Sequence, residues 1–239
     1  YGFDFYYNND NPMDETGHGT HVAGTIGAIG NNAVGVTGVC WNIKMAALKI
    51  GGNSNRVDIA AAIQAIEYAN KNKISILNNS WGGRPYSAAL KYAIDQYDGL
   101  FIAAAGNNGM NNDRFPIYPA SYDSAHIISV AAINEVDALA SFSNFGARSV
   151  DIAAPGTNIL STDLYGRYTF MNGTSMAAPH VAGAAALLKG YMPDLTTLEI
   201  KDIILSSANK HRNLNGRVST GGILDVRAMI EIVTTIATV

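Results

Sequence analysis

Short, nearly unbroken apolar runs alternate along this chain with longer segments of helical spacing, and that alternation leaves few folds open. Ile43–Ile50, Ile74–Asn78, Leu100–Ala105, Ile127–Ala132 and Val150–Ala154 read as buried strands. Asp58–Asn72, Ser87–Tyr97, Thr174–Tyr191, Thr196–Ser207 and Asp225–Ile236 place apolar residues on one helical face. Ile159–Thr162 and Arg167–Met171 flank Tyr165-Gly166 in the manner of a hairpin. Strands that alternate with helices predict an α/β three-layer sandwich, with a central, mostly parallel sheet and helices on both faces. In such a sheet, functional residues gather beyond the carboxyl ends of the strands.

At 239 residues the chain suits a single domain over 1–239. Its net charge is −3 with no basic cluster, so neither nucleic acid nor an anionic membrane is an expected partner. No apolar run reaches membrane-spanning length. Cys40 is the only cysteine, which excludes an intrachain disulfide, and its apolar setting predicts a buried thiol.

Two stretches carry chemistry. Asn172–Tyr191 reads as a turn and then a helix of small residues, which sets the Ser175 hydroxyl at a helix N-terminus. On this stretch alone Ser175 is either a plain cap or a nucleophile. Gly17–Gly27 places His18 and His21 in the first turn of another small-residue helix. The pair lacks the His-Glu-x-x-His pattern of zinc sites, and Cys40 is too isolated to complete one. His18 is therefore read as a base for Ser175.

With Ala103-Ala104-Ala105-Gly106-Asn107-Asn108-Gly109 between them, the two stretches resemble the subtilisin-like serine proteases, or subtilases, from about Asn8 to the C-terminal helix. The resemblance implies a serine endopeptidase acting on a polypeptide substrate. His18 would be the general base and Ser175 the nucleophile, with Asn107 donating to the oxyanion. It also implies that Ser80, Trp81 and Gly82 pair with the substrate main chain, and that Ala104, Ala105 and Gly106 line the same region. The loop Gly52–Asn55 would flank it. Tyr118-Pro119 would be cis, and the pocket would take neutral or apolar side chains, with Ile117 near its floor.

Structural Ca²⁺ is implied at three places. Asp10 and Asp14 lie in the polar loop Asn8–Asp14, which otherwise reads as a solvated turn. The carbonyls of Gly30, Val34 and Val36 and the Asn32 side chain match a tight loop site, which lacks its usual acidic ligand and should bind weakly. The carbonyls of Ala120 and Tyr122 with Asp151 match a further site, although Asp151 equally suits a turn cap. A secreted monomer matured from a zymogen is also implied.

One family residue has no match. The acid of the triad sits in an Asp-Ser/Thr-Gly motif some thirty residues ahead of the histidine. Asp4 precedes Phe5, Asp10 and Asp14 lie in the loop, and Asp137, Asp151 and Asp163 lack the motif. The expectation is that an N-terminal segment holds the Asp, and that a pro-region precedes it. Residues 1–239 alone would then be nearly inactive and fold poorly; subtilisin itself loses about 3 × 10⁴ in kcat with that Asp, a value carried over from that enzyme. A rival reading is a non-catalytic, peptide-binding pseudo-protease. An α/β-hydrolase esterase fits less well, because it orders Ser before His and uses Gly-x-Ser-x-Gly.

Overall fold

The computed structural model describes residues 2–54 and 56–237. Its strands are β1 (Gly2–Asp4), β2 (Ala47–Lys49), β3 (Ile76–Asn79), β4 (Leu100–Ala104), β5 (Ile127–Ile133), β6 (Ile152–Pro155), β7 (Ile159–Asp163), β8 (Arg167–Met171), β9 (Asn209–Lys210) and β10 (Gly222–Ile223). Its α-helices are α1 (His18–Gly27), α2 (Ile59–Lys71), α3 (Ala88–Asp95), α4 (Thr174–Tyr191), α5 (Thr197–Ser206) and α6 (Val226–Ala237). The main sheet runs β3-β4-β5-β6-β10-β9, and only β9 is antiparallel to its neighbour.

Strand alternation sorts the core into layers. Leu100, Ile102 and Ala104 of β4 face one way, against Ala177, Val181 and Leu188 of α4, Ile204 of α5 and Met229 of α6. Phe101 and Ala103 face the other way, against Ile66 of α2 and Leu90 and Ile94 of α3. The three-layer sandwich with helices on both faces is therefore present, as the alternation predicts.

Small residues let α4 lie at the centre of one layer. An added Cβ at Gly183 would come within 2.6 Å of Val39 Cβ, and one at Gly24 would overlap Thr162 Oγ1. The first contact packs α4 against the chain leaving α1. The second packs α1 against the β7–β8 hairpin, where the Ser161 and Thr162 hydroxyls donate to the His21 and Thr20 carbonyls at 2.7 and 2.8 Å. Caps fix the other helices locally: Asp58 and Ser87 accept from the third residue on, and Thr196 with Glu199 forms a capping box.

The strand Gly2–Asp4 is not legible in the sequence, where Tyr1–Thr16 reads as aromatic and then polar. It pairs in parallel with β2 as a separate two-stranded ribbon. Buried Asp4 holds it, accepting the Tyr6 and Tyr7 amides and pairing with Lys49 at 3.0 Å. Between this ribbon and β3 runs a cleft of ≈ 2910 Å³. Ala47–Lys49 and Ile76–Asn79 line its two sides, and α1, α2 and α4 all contribute to its walls. Among the described residues no helix is long and apolar enough to cross a membrane.

Candidate active site

His18 opens α1, and Ser175 is the second residue of α4. Both line the large cleft, as does Asn107. Asp14 sets the start of α1, taking over the cap that Gly17 cannot supply. Its Oδ1 accepts the Thr16 and Gly17 amides at 2.8 and 3.1 Å, and its Oδ2 accepts the Thr20 amide and hydroxyl, both at 2.8 Å. Partial burial pushes this carboxyl up, but the donors from Thr16, Thr20 and Gly17 outweigh that and bring it down to about 2. Asp14 thus caps the helix, and exposed Asp10 lies in the loop ahead of it.

Burial holds the His18 imidazole below its ordinary value; the Asp14 charge opposes this and His21 adds to it. Among the described residues its ring has no hydrogen-bond partner. His21 serves the fold. Its Nε2 lies 2.9 Å from the Ile159 carbonyl and 3.2 Å from that of Thr169, so it carries the proton and ties α1 to the hairpin.

The Ser175 hydroxyl is not a cap. It donates to the Ser80 carbonyl at 3.1 Å, while the Ser80 hydroxyl donates to the Ser175 carbonyl at 2.8 Å. Asn107 is oriented by Thr174, whose amide and hydroxyl both donate to Asn107 Oδ1, at 2.8 and 2.9 Å. The acceptor end of the carboxamide is thereby fixed, and among the described residues nothing takes the Nδ2 hydrogens. An ideal Cβ built on Gly173 would lie 3.5 Å from Asn107 Nδ2 and 3.5 Å from the Ser175 amide nitrogen. Two donors therefore flank one small space that only glycine keeps open. The Ser175 amide is in the first turn of α4, where no intrahelical acceptor exists.

Sequence reasoning missed two supports of this geometry and one residue of the neighbouring pocket. Thr174 is fully buried, and beyond Asn107 it also accepts the Gly106 amide at 3.1 Å. Buried Asn144 accepts the Asn108 and Met110 amides and donates to Asn112, which fixes the loop after β4. Arg84 lines a second pocket of ≈ 290 Å³ next to Ser175, with Trp81, Gly82, Asn107, Asn108 and Ile117 among its other walls. The Gly-Thr-Ser triplet was the available signal for Thr174; nothing local marks Asn144 or Arg84.

Other expected residues fall as follows. Ala104 and Gly106 line the smaller pocket, whereas Ala105 turns into a core cluster with Ala131 and Val150. Trp81 packs partly on the second core cluster and also walls both pockets. Tyr118-Pro119 is cis. Cys40 is buried and free, and burial raises its thiol. Gly52 lines the large cleft, and Asn55 is outside the described residues. Ala120 and Tyr122 are buried in the second core cluster. Asp151 accepts the Ser129 amide at 2.7 Å, and its backbone carbonyl takes the Thr220 hydroxyl. Gly30, Asn32, Val34 and Val36 share one loop, in which Asn32 Oδ1 accepts the Val34 amide at 3.0 Å.

Residues 1–221 match the Subtilase family model. The chain belongs to the subtilase family. It is 40% identical to Subtilisin DY of Bacillus licheniformis over 223 residues, covering 91% of this chain and 79% of that one. It is 38% identical to Subtilisin-like protease 2 of Plasmodium falciparum over 221 residues, which are 87% of this chain but 16% of that protein. Its structure matches that of a cold adapted subtilisin-like serine proteinase with a TM-score of 0.80 at 32% identity, over 94% of this chain and 79% of the other. Membership makes this subtilase a serine peptidase by class, with polypeptide as its class of substrate.

Proposed function

We propose that this subtilase is a serine endopeptidase in which His18 activates Ser175 while Asn107 Nδ2 and the Ser175 amide hold the oxyanion. The observation that carries this reading is the convergence of those two donors on the space beside Gly173. In the resting arrangement the Ser175 hydroxyl points to the Ser80 carbonyl. For attack it turns to His18, which takes the proton as Oγ adds to the scissile carbonyl. The tetrahedral oxyanion is held more tightly than the ground-state carbonyl, so the two donors lower the barrier. Imidazolium then protonates the leaving amine, and water resolves the acyl-enzyme by the reverse sequence. His18 suits the base role because burial keeps it neutral near physiological pH.

The acid that orients His18 is proposed to arrive on an extended segment lying in the cleft between β2 and β3. Three features support this. The cleft separates two sets of parallel strands, its walls include His18 and Ser175, and Asn78 Oδ1 on its wall is buried with no hydrogen-bond partner among the described residues. The smaller pocket, with Ile117 buried in its wall and Arg84 at its rim, suits neutral or apolar side chains ahead of the cut. Ca²⁺ is proposed at Asp10 and Asp14, at Ala120, Tyr122 and Asp151, and in the Gly30–Val36 loop, which bends through positive φ at Asn31, Ala33 and Gly35. A secreted monomer matured from a pro-form rests on the family resemblance alone.

The test is a serine-directed phosphonate probe on the intact protein, read by mass spectrometry. Labelling at Ser175 that is lost in His18→Ala supports catalysis. An intact, folded protein that binds peptides but never labels is the pseudo-protease.

A further inference from the structure

Helix α4 contains a proline, Pro179, four residues after Ser175. In a regular helix the amide of residue 179 would donate to the carbonyl of residue 175. Proline has no amide hydrogen, so that donor is missing and the Ser175 carbonyl is left for another partner. The partner is the Ser80 hydroxyl, at 2.8 Å. Ser80 Oγ itself accepts from Asn78 Nδ2 at 2.9 Å, which directs its hydrogen toward Ser175. The Ser80 carbonyl in turn receives the Ser175 hydroxyl. Residue 175 is therefore gripped at its main chain and its side chain by a single residue beyond the end of β3.

We infer that Ser80 is a positioning residue for the nucleophile, and that Pro179 creates the vacancy its hydroxyl fills. This deepens the protease reading and rests on it. Ser80 acts through Ser175, not on the reacting carbonyl. Its backbone belongs to the open edge that a substrate would pair with, and its side chain anchors the nucleophile. The two roles separate under mutation, because Ser80→Ala removes only the second.

The experiment measures peptide hydrolysis and phosphonate labelling by the intact protein and by S80A, S80T, P179A and S80A/P179A. S80A is expected to lose about tenfold in kcat with KM within about twofold, the scale set by stranding one carbonyl acceptor. S80T keeps a hydroxyl and restores most of kcat. In P179A the new amide at residue 179 can supply the Ser175 carbonyl, so adding S80A there costs less than about threefold. Three results overturn the inference: equal cost of S80A in both backgrounds, an unchanged kcat in S80A, or a raised KM with kcat intact. If the wild-type protein itself neither labels nor cleaves, the protease reading falls and this one falls with it. A wild type that labels while S80A is unaffected removes this inference alone.

Discussion

Asp14→Ala tests how the helix that carries His18 is held. The Asp14 carboxyl is brought from 3.8 to about 2, against the upward push of partial burial, by donors from Thr16, Thr20 and Gly17. At about 1.36 kcal/mol per unit, that difference corresponds to ~2.4 kcal/mol of folding stability at pH 7. The group is partly open to solvent, so screening reduces this to about 1–2 kcal/mol. For a chain of this size the melting temperature should fall by about 3–6 °C. Because the folded-state value is depressed, the contribution is complete above 3.8 and is lost as pH falls through about 2. By linkage about half of it remains at pH 3. Urea unfolding of wild type and variant at pH 7, 5 and 3 measures the difference at each pH. A penalty that stays constant from pH 7 to pH 3, or one under about 0.3 kcal/mol at pH 7, refutes the ionised-cap account.

Gly173→Ala places a methyl between Asn107 Nδ2 and the Ser175 amide, so kcat should fall by about 10² or more with little change in KM; removing one such donor from subtilisin costs about 10²–10³, a figure carried over from that relative. Steady-state kinetics on one peptide substrate checks it. Asp14→Asn should move the acid limb of kcat/KM to lower pH, because the Asp14 charge is what raises His18 against burial. A pH–rate profile of the two proteins measures this. Peptides differing only in the residue before the cut should show Leu and Gln favoured over Lys and Arg, and Arg84→Gln should narrow the gap by about fivefold at low salt.

The layers were readable because β4 and, Ser129 apart, β5 are apolar on both faces, and only a sheet covered on each side buries such strands. Helix starts at Asp58, Ser87 and Thr196 were readable because their caps are local. Asp14 was not legible as a cap, because its donors run on to Thr20 and an Asn/Asp cluster reads equally as a turn or a cation loop. His18, Ser175 and Asn107 were legible as candidates from short motifs, and all three line the large cleft. What orients them was not: Thr174 reaches Asn107 across 67 residues of sequence, and Ser80 reaches Ser175 across 95. Such contacts exist only once the sheet has brought the segments together. The strand Gly2–Asp4 was hidden for a related reason, since its pairing with Ala47–Lys49 and the buried Asp4 define it more than its own three residues do.

Lys49 gives the two-stranded ribbon a reach beyond its own edge. Its ammonium grips Asp4 at 3.0 Å within the ribbon and Glu15 at 2.8 Å, in the turn that leads into α1. Whatever sets the spacing between the ribbon and β3 also pulls, through one cation, on the residues immediately ahead of His18. On the proposed reading, a segment seated in the gap would bear on the ribbon that Lys49 ties to the turn before His18, and a neutral side chain at position 49 would cut that tie.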